Sequence, residues 1–211
     1  AFLTSKYNNK DKDQNIILKI KNNNKNFIDV EMLFKADKTK INSKEIEKYL
    51  NINNKLVQDQ DIELTSDNKI NFSINNKNII SNLKVKSLLK FDKLAIDYKS
   101  NKIKKIIKNY NDKIYIIGDN IEIDYLNGKT EIKATGKYSL NEEFENFNTK
   151  IVNEKNNIEF NTFLNLKKSL IQIEEIDYLK PKKKLSNLSI IGSYNISNKN
   201  LHLLESSYLE G

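Results

Sequence analysis

Apolar residues recur at every second position along most of this protein. Ile16, Leu18 and Ile20 alternate with polar neighbours, and Ile28, Val30, Met32 and Phe34 do so with Asp29 and Glu31 between them. The pattern continues through Ile62 and Leu64, then Ile70, Phe72 and Ile74, Leu83 and Val85, Leu94, Ile96 and Tyr98, and Ile121, Ile123 and Tyr125. It resumes at Ile132, Ala134, Gly136, Tyr138 and Leu140, and at Ile158, Phe160, Thr162, Leu164 and Leu166. Ile171 and Ile173 follow, then Leu188, Ile190, Gly192, Tyr194 and Ile196. Successive side chains of a strand point to opposite faces, so each run predicts a strand with one buried and one wet face, as in antiparallel sheet.

Between the runs lie short polar stretches: KNNNKN at 21–26, SDNK at 66–69, NNKN at 75–78, LNGK at 126–129 and SNKN at 197–200. Asn tolerates positive φ and bonds its own backbone, so such stretches close hairpins. Consecutive strands are therefore expected to pair as neighbours in a long meander. The single proline, Pro181, falls outside the runs, as pairing requires.

Two segments break the alternation. In NSKEIEKYLNI, Ile46, Tyr49 and Leu50 fall at i, i+3 and i+4 behind a capping-box-like Asn42 and Glu45, which predicts a short helix near 43–52. In SNKIKKIIKNY, Ile103, Ile106, Ile107 and Tyr110 repeat the spacing and predict a second near 100–110. Each is expected to lie on or cap the sheet.

Gly136 and Gly192 are two of only five glycines, yet both sit mid-strand in the apolar phase, each two residues before a tyrosine. A position without a side chain permits a bulge or lets an aromatic or a ligand approach the backbone. The tyrosine two residues on is expected to cover the gap.

Composition narrows the function. All 36 cationic residues are Lys, and with the abundant Asn and Ile this matches an AT-rich genome, which weakens the net charge of +8 as a sign of nucleic-acid binding. Base readout and bidentate phosphate contacts favour Arg, which is missing. The densest clusters, KIKKIIK at 102–108 and PKKK at 181–184, are no longer than one helix or loop face. The aromatics keep the phase of the aliphatics instead of lying among lysines, so no nucleic-acid partner is expected.

The protein has no Cys, which excludes disulfides and thiolate metal sites, and its one His, His202, is read as a solvent-side strand residue. The doublets Glu142–Glu143 and Glu174–Glu175 would point to opposite faces of a strand and form no dyad. With no nucleophile, phosphate or metal motif, neither enzyme activity nor a cofactor is expected. No segment approaches the roughly 20 apolar residues that span a bilayer. The start, AFLTSKYNNK, does not resemble a signal peptide, and the end stops just after a strand-like pattern. Residues 1–211 therefore read as a single β-rich segment of a larger protein, with possible sub-units 1–110 and 111–211.

The elements TGKYSL and IGSYNISNKNLHL, with Gly136, Tyr138, Gly192, Tyr194, Leu201 and Leu203, resemble the AsmA-like and TamB-type envelope proteins, including their YhdP-like members. The resemblance is best over 112–211. It implies a mainly β fold: a long antiparallel meander bent strongly into a taco- or groove-like sheet, with one or two short helices. It further implies an apolar groove that takes phospholipid or lipopolysaccharide acyl chains and carries phospholipid between the inner and outer membranes of a Gram-negative envelope. Adjacent segments of the same protein would continue the groove. The location implied is the periplasm, with an inner-membrane anchor in a region not present here. Groove-lining residues are then Ile121, Ile123, Tyr125, Ile132, Ala134, Gly136, Tyr138, Ile158, Phe160, Leu164, Ile190, Gly192 and Tyr194. The alternative is a structural or adhesive β-sandwich or solenoid, in which protein fills the same apolar face. A contiguous exposed apolar trough separates the two, since a monomeric sandwich hides such a surface.

Overall fold

The computed structural model describes residues 2–9, 14–24, 27–44, 58–141 and 143–211. The alternating runs form strands β1 (Phe2–Asn9), β2 (Gln14–Asn24), β3 (Phe27–Asn42), β4 (Asp61–Asn75) and β5 (Ile80–Asp97). After helix α1 (Asn101–Ile106) come β6 (Lys113–Leu126), β7 (Lys129–Ser139), β8 (Glu145–Glu154) and β9 (Asn157–Asn165). A short pair, β10 (Ile171–Ile173) and β11 (Tyr178–Lys180), precedes β12 (Ser186–Asn195) and β13 (Asn200–Glu210).

Eleven strands make one antiparallel sheet in which β1 to β9 follow in sequence order and β12 and β13 are added beside β9, while β10 and β11 pair separately. The meander expected from the polar linkers is thus the fold. Asn127 and Gly128 take positive φ (50° and 82°) between β6 and β7, and Asn78 and Lys199 do so in the turns after β4 and β12. The sheet is not strongly curled. Relief on its apolar face comes from elements laid across it.

Register puts the alternating apolar residues on one face throughout. Met32 pairs with Ile70 and Ile70 with Val85; Ile123 pairs with Ile132, Ile132 with Ile151, and Ile151 with Phe160. The opposite face carries the charges, with ion pairs such as Lys133–Glu131 (3.1 Å), Lys150–Glu131 (3.3 Å) and Lys35–Asp67 (2.5 Å). Burying the first face and wetting the second is what the period of two dictates.

Three expectations need correction. Ser66–Lys69 is not a linker: β4 runs straight through it, paired on both sides. Asn68 makes this possible by donating to the Phe34 carbonyl (3.2 Å) and to Ser66 Oγ (3.0 Å), so a polar patch on the apolar face is satisfied locally. Similarly, the runs at 83–85 and 94–98 belong largely to one strand, β5, whose register shifts at Leu89/Phe91 and Phe91/Leu94 absorb the change of phase. Glu174 and Glu175 lie in a 3-10 turn, not on a strand, because Asp177 at φ 51° closes the β10–β11 connection there; Glu142 lies outside the described residues.

Of the first expected helix, Ser43 and Lys44 are helical, with Asn42 Oδ1 accepting from Lys44 N–H (3.0 Å); Glu45, Ile46, Tyr49 and Leu50 lie outside the described residues. The second helix is α1, capped by Ser100, whose Oγ accepts from Ile103 N–H (3.3 Å). It ends at Ile106, because Ile107 turns extended to bridge Ile171.

The glycines let aromatics cross, but the tyrosines do not cover them. Gly136 pairs directly with Phe147 of β8, and Gly192 with Phe160 of β9. A methyl at Gly192 would stand 2.6 Å from the Phe160 ring and 2.7 Å from the His202 carbonyl oxygen. At Gly136 it would overlap the Ile117 carbonyl oxygen and reach 3.0 Å from Phe147. Each phenyl ring therefore lies over the neighbouring backbone, a known way of protecting a strand glycine.

Candidate functional site

One end of the apolar face is roofed. α1 lies over it, with Ile103 and half-exposed Ile106 at i and i+3 along the cavity, and Ile107, extended just past the helix, beside them. β10 and β11 extend the roof with Ile171, Ile173 and Tyr178. The sheet supplies the floor: Ile114 and Ile116 of β6, Tyr138 of β7, Phe147 of β8, Leu164 of β9, Leu188 and Ile190 of β12 and Tyr208 of β13, with Leu140 and Leu166 just past strand ends. Between roof and floor is a cavity of about 690 Å³ whose wall exposes no polar atom.

The roof is tied down by polar groups kept outside the cavity. Ile107 bridges Ile171, Lys108 N–H donates to the Leu170 carbonyl (3.2 Å), and the Lys108 ammonium pairs with Glu174 (2.7 Å). Lys104 holds α1 to Asp112 (2.5 Å). The strongest tie is Lys180, which is 0% exposed. Its ammonium donates to the carbonyls of Leu166 (2.6 Å), Ser169 (2.5 Å) and Lys167 (3.4 Å), stapling β11 to the turn after β9. The same turn is gripped from β8 by buried Glu145, which accepts from Lys168 N–H (2.5 Å) and Ser169 Oγ (2.8 Å). Burial lowers the Lys180 pKa against the opposing pull of Glu145 and Glu210, and burial raises that of Glu145. The two charges sit close enough to offset part of each other's desolvation.

Tyr178 and Tyr208 meet edge to face across roof and floor, ring centroids 6.2 Å apart and planes at 86°. Their hydroxyl oxygens lie 3.0 Å apart beside the Glu210 carboxylate, which accepts from Tyr178 and also pairs with Lys184. Lys184 and then Tyr178 hold the Glu210 carboxyl below its usual range, while burial and then Glu210 raise the Tyr178 hydroxyl. Tyr138, buried on the floor, donates to the Asn165 carbonyl (2.7 Å), and burial raises its pKa.

Of the thirteen expected lining residues, Tyr138, Leu164 and Ile190 reach the cavity. Ile121, Ile123, Tyr125, Ile132, Ala134, Gly136, Ile158, Phe160, Gly192 and Tyr194 share its face by register but lie farther along the strands, where none of the described elements forms a second layer over them. Gly136 and Gly192 expose no side chain at all; the rings of Phe147 and Phe160 occupy their place. The roof residues went unassigned because their sequence spacing says only that they face a sheet. Phe147 carried a readable signal, the alternation Phe147, Thr149, Ile151, since β8 is a strand like the others.

Among the described residues no cluster of His, Asp or Glu could hold a metal ion, and no helix is long and apolar enough to cross a membrane. His202 is exposed on the polar face of β13, its Nε2 bonded to Asn200 Nδ2 (2.9 Å). Searches among protein-family models, curated proteins and solved structures find no match to this chain.

Proposed function

We propose that this protein is a non-enzymatic lipid-binding segment that holds acyl chains against its apolar face, with the roofed cavity as the principal seat. The single observation that carries this reading is the cavity: about 690 Å³ walled only by aliphatic and aromatic groups. That volume falls within the roughly 300–1,000 Å³ of small-molecule sites. Each methylene moved there from water is stabilised by about 0.8 kcal/mol, so binding needs no specific polar contact. The uncovered apolar rows continuing from the cavity give the rest of a long lipid a place to lie.

In this reading the groove is walled by α1 and the β10–β11 pair, and adjacent segments of a longer protein extend it into the curved trough that the family resemblance implies. The same resemblance motivates the wider setting: phospholipid transfer between the membranes of a Gram-negative envelope, in the periplasm, with an anchor supplied elsewhere.

The test is native mass spectrometry of the 211-residue protein expressed in a Gram-negative host, followed by organic extraction. Phospholipid should co-purify with the parent protein and be lost from Ile190→Asp and Leu164→Asp, both in the cavity. Ile123→Asp, outside it, should keep the lipid. A lipid-free parent that stays monodisperse overturns the reading and favours a structural or adhesive β-module.

A further inference from the structure

Resting on that reading, we infer that the cavity selects unsubstituted hydrocarbon and rejects acyl chains that carry a hydroxyl along their length. The side chains of its lining contain only three polar atoms, the hydroxyls of Tyr138, Tyr178 and Tyr208. Their protons have acceptors elsewhere, that of Tyr138 on the Asn165 carbonyl and those of Tyr178 and Tyr208 beside the Glu210 carboxylate, and none of the three oxygens is exposed on the cavity wall. Lys180 and Glu145, the buried charged groups nearest the roof, are spent on the carbonyls, amide and hydroxyl of the Leu166–Ser169 turn.

A hydroxyl carried into this cavity thus finds no partner, and an unpaired buried hydroxyl weakens binding about ten- to a hundredfold. The wall offers a bridging water none of the two to four polar partners it needs, so only a hydroxyl lying at the open side of the cavity, near half-exposed Ile106 and Tyr208, keeps its contact with solvent. Size sharpens the specificity. If a methylene takes about the roughly 30 Å³ of a liquid water, the cavity holds on the order of twenty, one long chain and not two. A head group stays outside, and so does a substituent on the first carbons after it.

Calorimetric titration of the parent protein with stearate, 2-hydroxystearate and 12-hydroxystearate tests this. Stearate and 2-hydroxystearate should bind alike, and 12-hydroxystearate about ten- to a hundredfold more weakly. Leu164→Asn, which puts one amide in the wall, should narrow the gap between stearate and 12-hydroxystearate. If 12-hydroxystearate binds within threefold of stearate while Ile190→Asp abolishes both, the selectivity is refuted and the lipid seat stands. If stearate itself does not bind, the underlying reading falls and the selectivity with it.

Discussion

The apolar face has two regions that differ in cover far more than in sequence chemistry. At one end, the rows through Ile116, Tyr138, Leu164 and Leu188 lie under α1 and the β10–β11 pair. Farther along the same strands, the rows through Ile123, Ile132, Ile151 and Phe160 have the same alternation and register, but among the described residues no second layer lies over them. Tyr138, Leu166 and Ile171 form a buried cluster at the covered end, whereas Ile123, Ile132 and Phe160 remain only partly buried. A strand pattern therefore sets which face is apolar, and a few residues outside the pattern decide where that face becomes a cavity.

Because the covered region depends on polar ties, the way to break the comparison is to cut them. The largest effect is expected from Lys180→Met, which keeps the volume but removes the ammonium from the Ser169 carbonyl and leaves the Leu166 carbonyl only the Ser169 N–H (3.2 Å). A loss of about 3 kcal/mol in chemical denaturation is expected, with amide exchange rising in α1, β10 and β11 and little change in β3–β5. Unchanged stability would mean that the roof is held by its apolar contacts alone.

Gly136→Ala and Gly192→Ala probe the sheet itself. Both should destabilise by about 1–3 kcal/mol through overpacking. Gly136→Ala should cost more, because its methyl would overlap the Ile117 carbonyl oxygen outright, whereas at Gly192 the Phe160 ring can shift and the His202 carbonyl oxygen stands farther off, at 2.7 Å. Thermal melts that rank them the other way would show that the phenyl rings are the more rigid partners. A smaller effect, about 1 kcal/mol, is expected from Tyr178→Phe, which keeps the edge-to-face ring contact but drops the link to Glu210. Faster exchange confined to β10 and β11 is its signature.

The smallest change concerns the uncovered part of the sheet. Glu31, bonded to Lys19 (2.8 Å) and Lys69 (2.7 Å), has its pKa lowered to about 2 by those two lysines. A carboxyl with a depressed folded-state pKa contributes stability that is full above its unfolded value, near 4.5, and is lost as pH falls towards about 2. Solvent screening keeps the contribution under about 1 kcal/mol. Denaturation midpoints between pH 5 and 2 should therefore fall slightly less in Glu31→Gln than in the parent, and parallel curves would dismiss the tie.

Much of this was legible in the residues. The period of two specifies a one-sided strand without any tertiary information, and the Asn-rich steps at 75–78, 126–129 and 197–200 specify hairpins, so the antiparallel meander follows from local chemistry. SDNK at 66–69 misled because local turn preference lost to pairing on both flanks, with Asn68 satisfied by Phe34. The helical spacing of Ile103, Ile106 and Ile107 announced a helix lying on a sheet, but not which end of it.

That choice belonged to tertiary structure. Lys180 reads in sequence as one more lysine beside PKKK, yet the fold buries it completely beneath three carbonyls. Likewise, Gly136 and Gly192 announced a close approach, while the register alone named Phe147 and Phe160 as the groups that make it. Sequence pattern acts through neighbours one to four residues apart, so it determined strands, faces and turns. Cover, cavity and polar ties join residues tens of positions apart, and only the folded arrangement brings those together.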